Sequence, residues 1–513
     1  MKLRLLPFGA LLLLSASFVS AVTIDWEVQN RFRLFANQAD VTRFNSLTRA
    51  NANVQAPGGG YIPPQTAWLP LERRYRDEYP FPSDWVIRPI APGRSTGDRC
   101  EWAVDNVSLG GVAPCDTHLN VNVHGSDHQL ALRVNGGAWE VKSIHIGDLL
   151  ILGLGDSFSA GQGVPNVMKD FTVRYDNDDR LQAGKVVPAQ WTDTECRRSL
   201  YSWQSLAAMK LSEENSHQSV TFLSFACSGA VTGYNENFGD ADERKKVDSN
   251  SVKLQIGQAA HALCLDDNKD AACKNGARAP DVILMTVGGN DLGFVPTIMD
   301  AIKSTICSVN PNNPQDFRPS SSKLKERISA MQDPDKLQKA FDQMKQDIDR
   351  RLRPRKVLIA GYLNPVIAAV FTNRAGEDDP AYCIYTTDKR HDVNGRPLRP
   401  FFRFQIPVFE AKQREMICLH DHYVRPLNAR LQELASTNGW EYIPVQDGKT
   451  KATVVPGYCV AGDGPRAAHF NTVEDAQGRS GTDGAMHPNL RGYIAYRDDA
   501  LPVLERVTSE MKP

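Results

Sequence analysis

The feature that most constrains this chain is a short apolar run that ends in a glycine-rich turn. Residues 149–154 read LLILGL, a composition typical of a strand buried inside a parallel sheet. Gly155, Asp156 and Ser157 follow at once. Because ligands bind at the carboxyl ends of the strands in open α/β sheets, this turn puts Ser157 where a nucleophile would be used. A serine hydroxyl still needs a base in order to react at neutral pH.

Gly-Asp-Ser alone does not indicate a nucleophile, because it is also a common capped start of a helix. Three later stretches support the functional interpretation. Residues 281–291, DVILMTVGGND, repeat the design of an apolar strand that runs into a polar turn. Residues 226–230 read ACSGA and residues 487–493 read HPNLRGY. With these four stretches in this order, the chain resembles the SGNH (GDSL-type) hydrolases over roughly residues 148–510.

The resemblance implies a serine hydrolase that cleaves carboxylic esters through an acyl-enzyme, with no metal and no other cofactor. Ser157 would be the nucleophile and His487 its base. The oxyanion hole would consist of the backbone N–H groups of Ser157 and Gly229 and the side-chain amide of Asn290. These residue types suit the roles, because glycine lets the backbone approach a substrate closely. Loss of an amide donor to the oxyanion typically costs ~3 kcal/mol in the transition state.

The third member of the triad departs from the family pattern, which places an aspartate three residues before the histidine. That position is Gly484 here, and Asp483 lies four residues before His487. We predict that Asp483 orients the imidazole, with a backbone carbonyl, a variant seen in the family, as the alternative. We expect Asp156 to stabilise the nucleophile turn without touching the substrate, and Asp291 to be structural as well.

The order of apolar and amphipathic stretches predicts an α/β domain over residues 148–513. Apolar stretches that indicate strands recur at 149–154, 219–225, 281–287, 356–361 and 440–445. Helical patterns occupy 335–352, 406–436 and 488–509. Strands separated by helices imply parallel crossovers, so we predict a three-layer α/β/α sandwich with a five-stranded parallel, flavodoxin-like sheet. The family resemblance implies the same fold.

Residues 22–147 have a different pattern and are predicted to form a small β-sandwich-like domain. Apolar residues alternate along 118–148, and Gly-Ser-Asp and Asn-Gly-Gly supply turns between the runs. Residues 51–65 are rich in Gly, Pro, Asn and Gln, which indicates a long loop or linker. Five of the eight tryptophans lie in this region: Trp26, Trp68, Trp85, Trp102 and Trp139. They either fill the core of the domain or form a carbohydrate-binding surface.

Residues 1–21 have the pattern of a secretory signal peptide. Lys2 and Arg4 precede an apolar segment, and Val19-Ser20-Ala21 fits cleavage after Ala21. The apolar segment is too short to span a bilayer comfortably. We therefore expect a secreted or periplasmic protein whose mature chain has no integral membrane segment.

Charge and composition exclude some partners. The 513 residues carry a formal net charge of −1, and removal of residues 1–21 leaves −3. Neither sign dominates, so we expect no nucleic-acid partner. The chain is long enough for two or three domains, and its 41% hydrophobic and 23% charged residues are typical of a globular protein.

The ten cysteines all follow the signal peptide, and an even number in an exported chain favours disulfides. No Cys-x-x-Cys pair suggests a metal site. Proximity in sequence predicts the pairs Cys100–Cys115 and Cys264–Cys273. The resemblance implies Cys196–Cys227, which is similar to a bridge in the actinobacterial lipases of the family. Three pairings remain open for the last four cysteines: Cys307, Cys383, Cys418 and Cys459.

Two substrate classes and one function of another kind compete. The preferred substrate is a lipid or phospholipid acyl ester, and the alternative is an O-acetyl ester on a polysaccharide or cell-wall glycan. A non-catalytic glycan-binding protein with the same fold is the third hypothesis. The presence of Ser157, Asn290 and His487 together argues against it, because a binding module has no need of all three. The sequence makes no prediction of oligomeric state.

Overall fold

In the computed structural model of the chain, the described residues divide into two compact units. The first comprises residues 23–28 and 84–146, and the second comprises the described residues of 29–83 and of 147–513. The structure describes residues 23–54, 79–168, 170–171, 174–175, 181–182, 186–234, 250–264, 273, 276–372, 378–382, 410–445, 470–471, 484 and 486–511. The predicted signal peptide, residues 1–21, lies outside them. No helix in the described part of the chain is both long and apolar enough to cross a membrane.

The first unit consists of strands joined by turns. Its strands are β1 (Asp25–Val28), β2 (Asp84–Ile90), β3 (Arg99–Val104), β4 (Val107–Ser108), β5 (Ala113–Pro114), β6 (Val121–His124), β7 (Asp127–Val134) and β8 (Trp139–His145). They form two antiparallel sheets, in the orders β1-β2-β6 and β4-β3-β7-β8, with β5 paired to β3. Every second residue of β2 and β7 is buried, as expected for strands with one solvated face. The predicted β-sandwich-like fold is confirmed for these strands.

The tryptophans of this region separate into two environments. Trp26, Trp85 and Trp102 are buried in the core of the first unit. Trp139 on β8 is 41% exposed, and the guanidinium carbon of Arg133 lies 4.9 Å from its ring centroid. Trp68 lies outside the described residues. Among the described tryptophans, three therefore serve core packing and one is partly exposed.

The second unit is built on a parallel sheet. Its strands are β9 (Gly147–Gly155), β10 (Asp170–Phe171), β11 (Arg174–Tyr175), β12 (Leu181–Gln182), β13 (Val186–Val187), β14 (Gln218–Ser224), β15 (Val282–Thr286), β16 (Cys307–Asn310), β17 (Asn313–Pro319), β18 (Lys356–Ala360), β19 (Ile367–Thr372), β20 (Asp378–Tyr382) and β21 (Glu441–Ile443). Five of them pair in parallel in the order β14-β9-β15-β18-β21. The others form two-stranded antiparallel pairs. All five predicted parallel strands are present.

Helices cover this sheet. They are α1 (Gln38–Val54), α2 (Ser157–Ala160), α3 (Trp203–Glu214), α4 (Val252–Ala262), α5 (Phe294–Lys303), α6 (Ser322–Gln332), α7 (Lys339–Arg351), α8 (Glu410–Leu419), α9 (Arg425–Thr437) and α10 (Leu490–Glu510). One π-helical turn, Pro334–Gln338, precedes α7, and another, His420–Val424, joins α8 to α9. The three predicted helical regions are thus confirmed where described, and two of them contain a π-turn that periodicity did not reveal.

The helices form two groups around the sheet. Helix α10 packs against α1 and α3, whereas α4 packs against α7, and α6 against α9. This arrangement confirms the predicted three-layer α/β/α sandwich. The strand order is that of a flavodoxin-like sheet: the chain leaves β9 for β14 on one side and returns to β15 on the other. The carboxyl end of β9 is therefore the topological switch point, where such folds bind ligands.

Residues 29–54 differ from the predicted continuous β-rich domain of residues 22–147. Phe35 and Phe44 are at most 2% exposed in the core of the second unit. Phe32 forms a parallel bridge with Val220 of β14, and the N–H of Arg33 donates to the Val220 carbonyl at 3.0 Å. The physical reason is that β14 is an edge strand whose free backbone groups need partners. Residues 51–54, predicted as loop, end α1, and residues 55–65 lie outside the described residues.

Four disulfides join described cysteines: Cys100–Cys115, Cys196–Cys227, Cys264–Cys273 and Cys307–Cys418. The first three are the predicted pairs. The fourth selects one of the three pairings left open by the sequence. The two remaining cysteines of that set, Cys383 and Cys459, lie outside the described residues.

Candidate active site

Strand β9 ends in a turn that presents Ser157. Asp156 is the N-cap of α2, and Ser157 is the first helical residue. Gly155 has φ +119°, and a Cβ at this position would overlap the carbonyl oxygen of Thr286. Only glycine fits this backbone and this close approach, which explains the glycine before Asp156. We call Gly155, Asp156 and Ser157 the nucleophile turn.

Asp156 holds the nucleophile turn together from inside. Its carboxylate accepts from the N–H of Phe158 at 3.0 Å, from Oγ1 of Thr286 at 2.8 Å and from the hydroxyl of Tyr362. The same Tyr362 hydroxyl accepts from the N–H of Gly289 at 2.9 Å. Burial raises the pKa of Asp156 to about 6, although the hydrogen bonds from Tyr362 and Thr286 lower it. Asp156 is 1% exposed, so its position agrees with a structural function.

Two buried glutamines support the same turn, and the sequence analysis missed both. Gln255 of α4 accepts from the N–H of Gly155 at 2.7 Å and donates to the Gly155 carbonyl at 2.9 Å. Gln204 of α3 donates to the carbonyls of Leu154 at 2.9 Å and Leu284 at 2.7 Å. A glutamine within an amphipathic helix carries no sequence signal of this use. Tyr362 was also missed, although its position directly after an apolar strand was a usable signal.

His487 lies against Ser157. Its Nε2 is 2.8 Å from Oγ of Ser157, and each residue is 5% exposed. Helix α10 begins two residues later than the proline suggested, at Leu490. Its N-cap is Asn489, whose side chain accepts from the N–H groups of Arg491 and Gly492. The structure thus brings together two residues that are 330 positions apart in sequence.

The backbone N–H of His487 donates to the carbonyl of Gly484 at 3.4 Å. Asp483, the predicted third member of the triad, lies outside the described residues. Its role therefore stays a prediction.

The two remaining oxyanion candidates lie on hydrogen-bonded segments beside the nucleophile turn. The N–H of Cys227 donates to the Gly155 carbonyl at 2.9 Å, and Gly229, two residues on, has φ +78°. Asn290 donates from Nδ2 to the carbonyl of Ala230 at 2.9 Å. The segment that contains Gly229 is therefore hydrogen-bonded to the nucleophile turn at Cys227 and to Asn290 at Ala230.

Asp291 anchors this arrangement from a buried position. It is 5% exposed, and its carboxylate accepts from the N–H of Thr232 at 3.0 Å and from Oγ1 of Thr232 at 2.7 Å. The disulfide Cys196–Cys227 fixes the other end of the same segment. Asp291 thus occupies a structural position, as expected.

The arrangement has the elements of nucleophilic catalysis. A hydroxyl within hydrogen-bond distance of an imidazole can transfer its proton to that base as it attacks an electrophile. In the described part of the chain, no group of three or more His, Cys, Asp or Glu side chains lies close enough together to hold a metal ion.

Comparisons with known proteins return solved structures only. No family model and no curated protein matches the chain. An extracellular lipase from Streptomyces rimosus is 17% identical, with a TM-score of 0.36, over 70% of this chain and 99% of the lipase. A phospholipase A1 from Streptomyces albidoflavus is 16% identical, with a TM-score of 0.36, over 70% of this chain and 98% of the phospholipase. A family-two carbohydrate esterase from Clostridium thermocellum is 10% identical, with a TM-score of 0.28, over 94% of this chain and 98% of the esterase. At such values we base the proposals below on the geometry of this chain alone.

Proposed function

We propose that this protein is an exported serine esterase of the SGNH type that hydrolyses carboxylic esters through an acyl-enzyme. The observation that supports this most directly is the 2.8 Å distance between Oγ of Ser157 and Nε2 of His487 at the switch point of the sheet. A nucleophile and a base within hydrogen-bond distance form the minimal machinery for acyl transfer.

The reaction follows from these two side chains. Oγ of Ser157 attacks the ester carbonyl carbon while Nε2 of His487 takes the hydroxyl proton. The tetrahedral intermediate then collapses, the C–O bond to the alcohol breaks, and the imidazolium returns the proton to the departing alcohol. In the second half, water attacks the acyl carbon while His487 takes its proton. The bond from the acyl carbon to Oγ then breaks, the imidazolium returns the proton to Oγ of Ser157, and the carboxylic acid leaves.

The negative charge of the tetrahedral intermediate needs donors that are already in place. We assign the backbone N–H groups of Ser157 and Gly229 and the side chain of Asn290 to this role. The amide of Asn290 carries two N–H groups, and the one not directed at the Ala230 carbonyl is the donor to the oxyanion. Asp483, or a backbone carbonyl in its place, would keep His487 in the tautomer that accepts from Ser157.

Export is supported by two features of the chain. Residues 1–21 have the composition of a signal peptide, and four disulfides join described cysteines. Disulfides persist in oxidising compartments such as the periplasm or the extracellular space. We therefore place the working enzyme outside the cytoplasm.

We propose a lipid or phospholipid acyl ester as the substrate, and one observation favours the second candidate, an O-acetyl ester on a glycan. Trp139 is 41% exposed on β8, beside Arg133, which also forms an ion pair with Glu101. A partly exposed aromatic ring with charged hydrogen-bonding neighbours is a surface on which a sugar ring can stack. Such a surface would favour an ester that is carried by a glycan.

The first experiment is hydrolysis of nitrophenyl esters from acetate to palmitate by wild type and Ser157→Ala. The variant should lose at least 1,000-fold in kcat, because a catalytic serine acts as a unit with its base. Its thermal melt should stay close to that of wild type, because only one hydroxyl is removed. Ser46→Ala, on the exposed face of α1, is the control and should keep full activity.

The chain-length profile separates the two substrate classes. Activity that rises from acetate towards palmitate supports a lipid ester, and activity confined to acetate supports the glycan deacetylase. Turnover by Ser157→Ala at the wild-type rate would refute Ser157 as nucleophile. Binding to insoluble glycan without hydrolysis of any ester, including acetylated glycan, would establish the non-catalytic binding protein instead.

A further inference from the structure

We propose that Asn471 is a positioning residue that holds His487 at its distance from Ser157. The inference rests on the proposed function, because positioning matters only if His487 is the base. Asn471 is fully buried, yet it is a polar residue that the sequence motifs do not include. Its N–H donates to the His487 carbonyl at 2.9 Å, and its carbonyl accepts from the N–H of Met486 at 3.0 Å. The two segments therefore pair as a short antiparallel ladder, with a further bridge between Phe470 and Pro488.

The side chain of Asn471 extends this ladder to the nucleophile side of the site. Its Nδ2 donates to the carbonyl of Gly163 at 3.1 Å and lies 3.4 Å and 3.3 Å from the carbonyl oxygens of His487 and Pro488. Gly163 has φ +98°, and a Cβ there would lie 2.5 Å from Nδ2 of Asn471. The missing side chain of Gly163 therefore makes room for this amide.

Gly163 is in turn fixed relative to Ser157. The N–H groups of Gly161 and Gln162 both donate to the Ser157 carbonyl at 3.1 Å. The hydroxyl of Tyr493, in the first turn of α10, donates to the Gln162 carbonyl at 2.7 Å. A continuous path of hydrogen bonds thus runs from Ser157 through the Gly163 region and Asn471 to His487.

The backbone before His487 needs this support. Met486 has φ +61°, in the left-handed region that non-glycine residues rarely adopt. Such conformations cost on the order of 1–3 kcal/mol and persist where the surroundings hold them. The bond from the Met486 N–H to the Asn471 carbonyl is such a restraint.

The consequence for catalysis is geometric. A general base must lie within ~2.6–3.2 Å of the atom whose proton it takes. A misplacement by about 1 Å can lower the rate on the order of 100-fold. Because Asn471 contacts the backbone of His487 and reaches Gly163 but not the reacting atoms, its loss should lower kcat and leave KM nearly unchanged.

The test compares Asn471→Ala with wild type in two assays, each at a temperature where circular dichroism finds both proteins folded. One assay is ester turnover. The other is the rate at which an alkyl fluorophosphonate labels Ser157, a reaction in which Oγ bonds to phosphorus, fluoride leaves and His487 takes the proton. We expect both rates to fall about 10- to 100-fold. In a His487→Ala background, Asn471→Ala should cause no further loss.

Two other variants extend the test beyond Asn471→Ala: a second substitution at the same contact and a matched control. Gly163→Ala places a Cβ 2.5 Å from Nδ2 of Asn471 and 3.2 Å from Cβ of His487, so it disturbs the same contact between the two segments and should lower both rates. The matched control is Asn438→Ala, because Asn438 is also buried and also donates from Nδ2 to a backbone carbonyl, that of Leu434 at the end of α9. It should lower the melting temperature and leave both rates per folded molecule unchanged.

The outcomes separate this inference from the proposed function. Labelling slowed by Asn471→Ala in a protein that hydrolyses no ester would support positioning while refuting the esterase. Ester turnover and labelling both within twofold of wild type, in Asn471→Ala and in Gly163→Ala, would overturn the positioning role and leave the esterase standing. An equal further loss in the His487→Ala background would also overturn it, because Asn471 would then act on something other than His487.

Discussion

Asp156 is the residue where burial and function are most tightly linked. A carboxyl group with almost no solvent contact normally stays ionised only if donors surround it, and Asp156 has Tyr362, Thr286 and a helix N-terminal N–H. Its pKa is still raised from 3.8 to about 6, because desolvation outweighs these bonds. Near neutral pH Asp156 is ionised, which lowers the stability of the folded protein, but its hydrogen bonds hold the nucleophile turn rigid.

The pH dependence of stability follows from this shift. The folded state of a group with a raised pKa holds its proton longer than the unfolded chain does, so stability falls as pH rises from about 4 to about 6 and is flat above. Asp156→Asn removes this titration. The stability of the variant relative to wild type should therefore rise by about 2 kcal/mol between pH 4 and pH 7.

The measurement is urea unfolding of both proteins at pH 4, 5, 6 and 7. Asparagine is also a good N-cap, so the helix start is conserved. The difference between the two proteins is compared across pH, which cancels titrations elsewhere in the chain. A difference that does not change with pH would contradict the assignment of a raised pKa to Asp156.

At the scale of elements, the segment from residue 29 to the end of α1 is the least expected part of the fold. It pairs with the edge of β14 and inserts Phe35 and Phe44 into the core of the second unit. Deletion of residues 22–147 as a presumed independent module would therefore remove part of that core. The first unit in the described structure is limited to residues 23–28 and 84–146.

A pair of matched substitutions tests this assignment. Phe35→Ala should destabilise the second unit by about 3–5 kcal/mol, because it leaves a cavity among buried side chains. Trp26→Ala, nine residues earlier in the chain, removes an equally buried ring from the core of the first unit. The readout is the temperature at which ester hydrolysis, or labelling of Ser157, is lost.

Phe35→Ala should lower this inactivation temperature by several degrees. Trp26→Ala should leave it unchanged, while a separate calorimetric transition for the first unit moves down. Equal lowering by both substitutions would mean that the two cores unfold together, which would contradict the division of the chain into two units.

At the scale of the whole molecule, the disulfides close loops of very different lengths. Cys307–Cys418 spans 111 residues, whereas Cys264–Cys273 spans 9. In the chain-entropy model a bridge stabilises by limiting the unfolded chain, by about 5 kcal/mol for the longer loop and about 3 kcal/mol for the shorter. The long bridge should therefore contribute more to stability than the short one.

Serine substitutions in pairs test this ranking. The double variant Cys307→Ser, Cys418→Ser should show the larger loss in the free energy of unfolding, and Cys264→Ser, Cys273→Ser the smaller, both by urea titration under oxidising conditions. Comparison of the two pairs controls for the general effect of removing a bridge. A larger loss from the short bridge would show that packing around Cys264, not loop length, determines its contribution.

The sequence by itself determined the features that are local. The apolar strand runs and the turn that presents Ser157 follow from residues within a few positions of each other. The strand pattern was sufficient for the fold class, because parallel crossovers leave few topologies. His487 was predicted as the base because its stretch resembles a family motif, and the structure places its Nε2 2.8 Å from Oγ of Ser157.

Only the tertiary structure decided the contacts between segments that are distant in the chain. Tyr362 joins Asp156 to Gly289, Asn471 joins His487 to Gly163, and α1 belongs to the core of the second unit. None of these has a local signature, because a buried tyrosine, asparagine or phenylalanine has the same neighbours in sequence whichever partner it meets. Their positions follow from a global requirement: every buried polar group needs a partner, and every edge strand needs cover.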